Sequence, residues 1–507
     1  MKKIALFFGA GAELSYGLPS GGKFALDIFR MNTDKDKKEF KTQIKNINNT
    51  TKYASWFPLD VENKKLSAFT KRDYEMLVKG SLENKRNILL AYFKNFDKNV
   101  SEIAKKLEND DINIENIFEE ILGIVIGDVS YKQKIKLNSL LSSEYNCIFD
   151  SAYFSAFLSA IELEDLNLEL KKTIREATRS ILELLIGSLG ENLINNLNDG
   201  IFEKSPDSID LFDDLGSVFT LDYKNIGMKG LELLLDSDSI EIKEEDTNET
   251  IIKKFVMLIL EDIYSRALDY QSLIDLNWRY IYNPKTDWGK FSKINIFLHT
   301  VRRYISNIAE SNREKINTGN GYYHDICNLK NKYTIGCIAT TNYNTFIKEV
   351  TNEDVFFLNG SVEDYYDPYL NKIIKKEENK FNHVVVPFLF TQSGTKPLTS
   401  VKMSSRYVEV YNKFRESDII CVCGFGFNLD DGHINGMFRE LADDDDKRIV
   451  ILHFVRDDGY NKNEIKRDYK DKLRLNKDKN IEIIIVDKER KDVENSKMWY
   501  ESIGELF

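Results

Sequence analysis

A strand-length apolar run near the start of the chain leads directly into a glycine turn. The run is Lys3–Phe8, and it is followed by Gly9-Ala10-Gly11-Ala12-Glu13. Glycines at the end of a strand let the backbone approach a pyrophosphate, whose charge is then held by the N–H groups that open the next helix. The third glycine of G-x-G-x-x-G is replaced by Leu14. The turn alone therefore fits a nucleotide site and an ordinary strand end equally well.

Three more clusters of polar residues and glycines follow predicted strands further along the chain. They are Thr340-Thr341-Asn342-Tyr343-Asn344, Asn359-Gly360-Ser361 and Gly424-Phe425-Gly426-Phe427-Asn428-Leu429-Asp430-Asp431-Gly432-His433. Each cluster by itself is compatible with a turn or a helix cap. Four of them together favour a nucleotide-binding crevice, because open α/β sheets bind their ligands at the carboxyl ends of the strands.

The elements that must position these clusters are predicted from the spacing of apolar residues. Beyond residue 332, continuous Val, Ile and Phe runs are typical of strands buried on both faces of a parallel sheet. The predicted strands are 333–339, 355–358, 383–390, 419–423, 449–454 and 481–486, with helices at 405–415 and 433–441. With Lys3–Phe8 this makes about seven strands of a doubly wound, Rossmann-like α/β sheet.

The first predicted strand lies some three hundred residues before its partners, so the sheet domain must be discontinuous. Between about residues 24 and 330, apolar residues recur mainly at helical spacing, for example over 114–125, 174–185 and 255–263. Residues 30–63 are polar and predict a surface or mobile segment. We therefore predict a Rossmann-like domain formed by 1–30 and 331–507, and a large helical insertion over 31–330.

Composition excludes several classes of protein. The chain has 507 residues, 42% of them hydrophobic, which is enough for a large core. Its net charge of −11 disfavours a general nucleic-acid-binding surface. The apolar runs are too short for a bilayer span or a signal peptide, so we expect a cytoplasmic protein without membrane contact.

A metal site is not predicted from the cysteines or the acidic run. None of the five cysteines forms a C-x-x-C pair, and Cys421 and Cys423 lie inside an apolar strand. They are interpreted as small buried residues in a reducing compartment. The run Asp443-Asp444-Asp445-Asp446 favours a solvated acidic turn over a metal site.

The four clusters and their order along the chain resemble the sirtuin-related (SIR2-like) family, and specifically its bacterial antiviral-defence branch. The matching elements are Gly-Ala-Gly-Ala with Gly17-Leu18-Pro19, Thr-Thr-Asn-Tyr, Leu358-Asn359-Gly360-Ser361, the stretch PFLFTQSGTKP at 387–397 and GFGFNLDDGHIN at 424–435. The resemblance covers about two hundred residues at the two ends of the chain and leaves the helical middle unexplained.

The resemblance implies an NAD⁺-binding Rossmann domain that breaks the bond between nicotinamide and ribose. In defence members it implies hydrolysis to nicotinamide and ADP-ribose, which depletes the NAD⁺ of an infected cell. Protein deacylation is not expected, because the zinc module of the deacylases has no counterpart. By position, Asn342 would contact the nicotinamide ribose and the attacking water, while the first loop would hold the pyrophosphate and 424–428 the adenosine side.

The candidate site follows from the clusters and the resemblance. Asn342 and Asn359 are the candidate catalytic residues. Lys396 would meet a phosphate as a point charge or be an exposed loop lysine, and Glu13 would cap a helix or bind a ribose hydroxyl. The candidate NAD⁺-binding residues are Gly9, Ala10, Gly11, Ala12, Glu13, Pro19, Ser20, Thr340, Thr341, Tyr343, Asn344, Gly360, Ser361, Lys396, Gly424, Phe425, Gly426, Asn428, Asp430 and His433.

One departure from the family pattern bears on activity. The family usually has His-Gly where this chain has Asn359-Gly360. A histidine can accept a proton from a ribose hydroxyl near neutral pH, whereas an amide can only hydrogen-bond. Hydrolysis could persist slowly, another group could act (His433, Asp430 or His324), or the substitution could be engineered or mark a subunit that binds NAD⁺ without cleaving it.

The sequence is therefore compatible with three functions. The first is an NAD⁺ hydrolase that acts as a defence effector and stays silent until infection. Because the chain ends soon after its last predicted strand, we expect control by the helical insertion, by self-assembly or by a separate subunit, for which the resemblance suggests a HerA-like ATPase. The second is a non-catalytic nucleotide-binding subunit that serves as a sensor or scaffold. The third, a nucleic-acid-processing module, is disfavoured by the acidic balance.

Overall fold

The computed structural model describes residues 1–19, 21–108, 111–130, 135–137, 143–190, 202–204, 227–236, 240–268, 271–389, 400–428, 431–455, 460–476 and 479–506. The chain forms two compact units. One unit comprises Met1–Ser20, Met31–Ala68 and Gln271–Phe507, and the other comprises Gly21–Arg30 and Phe69–Tyr270. These units differ from the predicted domains, because 31–68 and 271–330 belong with the sheet, whereas 21–30 belongs with the helices.

The strands are β1 Lys3–Phe8, β2 Ile135–Leu137, β3 Phe202–Lys204, β4 Thr334–Thr340, β5 Val355–Phe357, β6 Gly360–Asp367, β7 Lys372–Lys375, β8 Val386–Leu389, β9 Ile419–Cys423, β10 Arg448–Phe454 and β11 Ile481–Val486. The helices are α1 Gly21–Arg30, α2 Asp34–Lys45, α3 Lys71–Lys94, α4 Phe96–Glu108, α5 Ile114–Leu122, α6 Ala152–Glu162, α7 Leu168–Leu189, α8 Met228–Asp236, α9 Asn248–Ala267, α10 Gln271–Asn277, α11 Trp288–Ser311, α12 Arg313–Thr318, α13 Tyr322–Lys330, α14 Phe346–Thr351, α15 Val401–Arg415, α16 Gly432–Asp443, α17 Lys462–Leu473 and α18 Trp499–Glu505.

The first unit is built on a six-stranded parallel sheet with the order β11-β10-β9-β1-β4-β5. Counted along the chain, the six strands read 6-5-4-1-2-3, which is the strand order of a Rossmann sheet. The N-terminal strand β1 lies in the middle, paired in parallel with β4 on one side and β9 on the other. The expectation that the first strand joins strands three hundred residues later is confirmed, and the strand order reverses between β1 and β9.

Alternate side chains of β1 enter two different cores, as the period of a strand requires. Ile4, Leu6 and Phe8 are buried in one core, with apolar residues of α13, α14 and α18. Ala5 and Phe7 are buried in the other, with apolar residues of α15, α16 and α17. Helices therefore cover both faces of the sheet, which explains why its strands are continuous apolar runs.

The prediction that residues 383–390 form a strand of this sheet is wrong. Its described part forms β8, which pairs antiparallel with β6 in a separate three-stranded sheet ordered β7-β6-β8. A short, fully buried apolar run looks the same in either kind of sheet, so periodicity could not separate them. Pro387 lies within β8, and an edge strand is where a sheet tolerates proline.

The polar segment 30–63 is largely exposed, as its composition predicted, but it contains the helix α2 and packs on the sheet unit. Several of its apolar residues are buried around Phe291 of α11: Phe40 and Ile44 on α2, and Tyr53 and Phe57 after it. The Tyr53 hydroxyl accepts a hydrogen bond of 2.7 Å from the backbone N–H of Val384. Sparse aromatic residues thus attach this segment to the sheet unit without an apolar repeat that the sequence would reveal.

The second unit is largely helical and encloses its own charged cluster. Glu261 on α9 is buried and accepts hydrogen bonds from Lys23 at 2.9 Å and Arg30 at 2.7 Å. These two cations lie on α1, so the helix that follows the first glycine loop is tied to this unit by ion pairs. The strands β2 and β3 of this unit pair antiparallel.

A buried ion pair fixes α13 within the sheet unit. Asp325 on α13 accepts bonds from Arg490 Nε at 2.6 Å, Arg490 Nη2 at 3.2 Å and Trp499 Nε1 at 2.7 Å. Asp325 and Arg490 are each only 4% exposed. The pair therefore links α13 to α18 and to the turn that follows β11.

Replacing Asp325 with alanine is expected to lower the free energy of unfolding by about 3–5 kcal/mol. The change leaves the Arg490 guanidinium buried without its counter-ion and removes the acceptor of the Trp499 N–H. Urea unfolding followed by circular dichroism measures the loss. The matched control is Glu353→Ala, which breaks a partly exposed pair with Lys330 (2.8 Å) and is expected to cost at most about 1 kcal/mol. Equal losses in the two variants would contradict the assignment of Asp325.

Candidate functional site

The four clusters that the sequence singled out follow four neighbouring strands of one parallel sheet. These strands are β9, β1, β4 and β5, so their carboxyl ends meet at the same edge. Backbone hydrogen bonds join the clusters where the strands end: Gly9 N–H to Cys423 O at 2.9 Å, Thr341 N–H to Phe8 O at 3.0 Å, and Leu358 N–H to Thr340 O at 2.9 Å. Residues from both ends of the chain therefore meet at one edge of the sheet.

The glycines of the first and fourth clusters allow two loops to pack backbone against backbone. The N–H of Gly11 donates to Gly424 O at 2.9 Å. A Cβ atom on Gly9 would lie 2.5 Å from Gly424 O, and one on Gly424 would lie 2.1 Å from Ala12 N. Gly424 also has φ +66°, which favours glycine. These glycines are thus required for the loops to meet at the point where the strand order reverses.

Asn342 is buried directly over the first loop. Its side-chain Nδ2 donates to Gly9 O at 3.0 Å and to the Tyr323 hydroxyl at 3.1 Å, and its backbone N–H donates to Thr340 Oγ1 at 3.0 Å. Asn342 itself is only 7% exposed. Both N–H donors of the amide are used in these bonds, so Oδ1 is its remaining polar atom.

Glu13 is a buried carboxyl group beside Asn342. Its Oε1 accepts from the Tyr323 hydroxyl at 2.9 Å, and its Oε2 accepts from Asn344 Nδ2 at 3.1 Å. Burial raises the pKa of Glu13 to about 7, although the neighbouring side chains of Asn344, Tyr323 and Asn342 lower it. The carboxylate is engaged with side chains, so the structure does not show the helix-capping role that was one of its two predicted roles.

Two tyrosines of this network were missed by the sequence analysis. Tyr16 stacks on Tyr323 with ring centroids 5.3 Å apart. The Tyr16 hydroxyl accepts a hydrogen bond of 3.0 Å from the backbone N–H of Tyr323. The Tyr16 hydroxyl also lies 3.1 Å from Nδ1 of His324, whose pKa burial lowers. Tyr323 and His324 lie on α13, ahead of β4, where a search for polar residues at strand ends does not look.

The third cluster places Asn359 in the protein interior. Asn359 is 1% exposed and lies between β5 and β6. The next residue, Gly360, has φ +83°, and a Cβ there would lie 2.0 Å from Phe388 O. Arg406 and Tyr407 of α15 donate to Phe357 O at 3.2 Å and Leu358 O at 3.1 Å. The end of β5 is therefore held rigidly by the neighbouring sheet and helix.

In the fourth cluster, backbone and side chains have different roles. The ring of Phe425, a predicted NAD⁺-binding residue, is buried edge-on against Phe7 with centroids 5.0 Å apart, so its side chain serves the core. Asn428 is exposed, and its carbonyl accepts from the N–H of Asp431 at 3.0 Å and from Asn435 Nδ2 at 2.8 Å. His433, in the first turn of α16, lies edge-on to Tyr407 at 5.4 Å.

The remaining predicted residues are distributed as follows. Ser361 is buried, its neighbour Val362 donates through its N–H to Tyr343 O at 3.0 Å, and Pro19 is partly buried. Ala10 and Gly426 are exposed. Three predicted residues lie outside the described parts of the chain: Ser20, Lys396 and Asp430.

Among the residues that the structure describes, no group of three or more His, Cys, Asp or Glu side chains is arranged to hold a metal ion. No helix in the described ranges combines the length and the apolar character needed to cross a bilayer.

The fold and the site define a Rossmann-like α/β protein with a cluster of polar side chains at the carboxyl edge of its sheet. Comparison with known proteins adds no family: no family model matches the chain, and no curated protein matches it. The function must therefore be inferred from the site itself.

Proposed function

We propose that this chain is an NAD⁺ hydrolase that cleaves the bond between nicotinamide and ribose. The observation that carries the proposal is the 3.0 Å hydrogen bond from Asn342 Nδ2 to Gly9 O. It brings the amide that would contact the ribose onto the loop that would hold the pyrophosphate. The position at a strand-order reversal is where Rossmann sheets bind dinucleotides.

Cleavage of the bond between nicotinamide and ribose depends little on acidic or basic side chains. Nicotinamide leaves as a neutral ring from a cationic state, so no general acid is needed. The transition state resembles an oxocarbenium ion and is stabilised by positioned dipoles. In the proposed reaction, the glycines of the first loop let its backbone approach the pyrophosphate, while the N–H groups of Gly9, Gly11 and Ala12 donate to Cys423 O, Gly424 O and Gly9 O. Asn342 offers Oδ1 to the ribose or the attacking water. The bond between ribose C1′ and the nicotinamide nitrogen breaks as the water oxygen bonds to C1′, and the proton that this water loses passes to solvent, because an amide cannot take it.

The biological role proposed for this activity is antiviral defence. A constitutive NAD⁺ hydrolase would kill its own cell, so the enzyme must be silent until infection. The resemblance in its motifs suggests control by self-assembly or by a separate activating subunit, such as a HerA-like ATPase. Purified protein with and without its genetic neighbours, incubated with NAD⁺, is expected to release nicotinamide only under the activating condition.

The alternative function is that of a subunit that binds NAD⁺ without cleaving it. The burial of Asn359 favours this alternative. An amide at 1% exposure stands where the family that the motifs resemble has its proton-accepting histidine. Asn359→His separates the two functions, provided that its melting temperature matches that of the parent. Release by the parent supports the hydrolase. Release by Asn359→His alone indicates a disabled site, and tight NAD⁺ binding without release in any condition supports the sensor.

A further inference from the structure

The contacts of Glu13, Tyr323 and Asn342 form a chain in which each group dictates the hydrogen-bonding role of the next. A carboxylate only accepts hydrogen bonds. The Tyr323 hydroxyl has a single proton, which it donates to Glu13 Oε1 at 2.9 Å. Its oxygen must then accept from Asn342, whose Nδ2 lies 3.1 Å away. The Asn342 amide is thereby oriented with its nitrogen toward Tyr323.

Two further bonds hold this arrangement in place. Asn344 Nδ2 donates to Glu13 Oε2 at 3.1 Å, which keeps Oε1 directed at Tyr323. The carbonyl of Gly9, which also only accepts, takes the second N–H of Asn342 at 3.0 Å. Glu13, Tyr323, Asn342 and Asn344 are all buried, so water does not readily replace these bonds.

We propose that Glu13, acting through Tyr323, is a positioning residue that holds the Asn342 amide with Oδ1 available to the ribose or the attacking water. The inference rests on the proposed hydrolysis and adds to it the group that supports its central amide.

The positioning role has a definite dependence on pH. The pKa of Glu13 is raised by burial to about 7, and the other groups acting on it are Tyr323 of α13 and Asn342 and Asn344 of the loop after β4. As pH falls through about 7, the carboxyl gains a proton that it can donate. Tyr323 is then no longer compelled to accept from Asn342, so nicotinamide release is expected to fall on the acid side.

The kinetic test compares Glu13→Gln, Tyr323→Phe and the double variant under the activating condition. Each single variant is expected to lower kcat by about 10- to 100-fold with little change in KM, because a displaced amide costs rate more than binding. The double variant should fall no further than the worse single one, since both act through the same amide. In Glu13→Gln the acid limb near pH 7 should disappear.

The matched control is Tyr322→Phe, which removes a hydroxyl from the neighbouring buried tyrosine. Tyr322 packs against Trp499 with centroids 5.7 Å apart and is separate from the Glu13 network. Its kcat and pH profile are expected to match those of the parent. Additive losses in the double variant, or an acid limb retained in Glu13→Gln, would overturn the positioning role.

A second measurement needs no turnover. Infrared spectra of protein labelled with ¹³C at the glutamate carboxyls, minus those of Glu13→Gln, give the pH at which Glu13 is half protonated. This pH should rise in Tyr323→Phe, because the carboxylate loses a donor, and stay unchanged in Tyr322→Phe. An unchanged value in Tyr323→Phe would show that the chain of bonds does not exist.

The two measurements separate failure of this inference from failure of the proposed function. If the parent protein releases no nicotinamide in any condition, the hydrolysis is refuted, and the infrared result still decides whether Tyr323 donates to Glu13. If the parent releases nicotinamide but both variants do so at its rate, the hydrolysis stands and the positioning role is refuted.

Discussion

Replacing Asn342 with alanine is expected to lower kcat for nicotinamide release by about 10²–10³-fold, the usual cost of removing one positioned polar group from a transition state. The amide is held by Gly9 O and Tyr323, so its oxygen cannot be replaced by a neighbouring group without moving the first loop. The effect should appear in kcat more than in KM, because Asn342 would contact the ribose and the attacking water and not the rest of the dinucleotide. Steady-state nicotinamide release under the activating condition measures it.

Asn328→Ala is the matched control for this substitution. Asn328 is an exposed asparagine on α13, where it donates to the Tyr500 hydroxyl at 3.3 Å. Its removal is expected to leave kcat unchanged. Asn342→Ala also leaves the Tyr323 hydroxyl and Gly9 O without a donor, so a loss of about 1–2 kcal/mol of stability is expected alongside. Turnover within about threefold of the parent in Asn342→Ala would be too small for a group that contacts the reacting atoms.

The positions of the sheet strands could be predicted from the sequence because each is a continuous apolar run. The strands at Lys3–Phe8, Ile419–Cys423 and Ile481–Val486 have the predicted bounds. Runs of this kind arise where helices cover both faces, and the two cores on either side of β1 confirm that cover. The polar residues that follow the strands could be recognised for the same reason, since they interrupt an apolar pattern.

Pairing between distant segments could not be predicted in the same way. Periodicity does not reveal which sheet a buried run joins, so β8 was placed in the wrong one. It also does not reveal which surface a helix packs on. The helix α1 follows the first loop directly but belongs to the helical unit through the Glu261 ion pairs, while α2 belongs to the sheet unit through Phe40.

The polar network around Glu13 was predictable only in part. Glu13, Asn342 and Asn344 were singled out because they follow strands, but the partner that joins them is Tyr323, in a helix that precedes β4. A buried tyrosine in a helix is ordinarily a core residue, and its neighbour Tyr322 is one. The difference between the two lies in tertiary contacts of the hydroxyl group, which no local pattern records.

Gly424→Ala is expected to lower the free energy of unfolding by about 3 kcal/mol or more, since a left-handed backbone strains alanine and the new methyl group overlaps backbone atoms. Its Cβ would lie 2.1 Å from Ala12 N and 2.5 Å from Gly11 C, so the first and fourth loops must separate.

Gly436→Ala on α16 is the matched control, because a Cβ there meets nothing within 4 Å and should stabilise the helix by about 1 kcal/mol. Thermal unfolding and NAD⁺ titration calorimetry measure both variants. Since no polar side chain is removed, weakened NAD⁺ binding in Gly424→Ala alone would show that the junction of the two loops forms the dinucleotide site, whereas unaltered binding in a destabilised Gly424→Ala would place that site elsewhere.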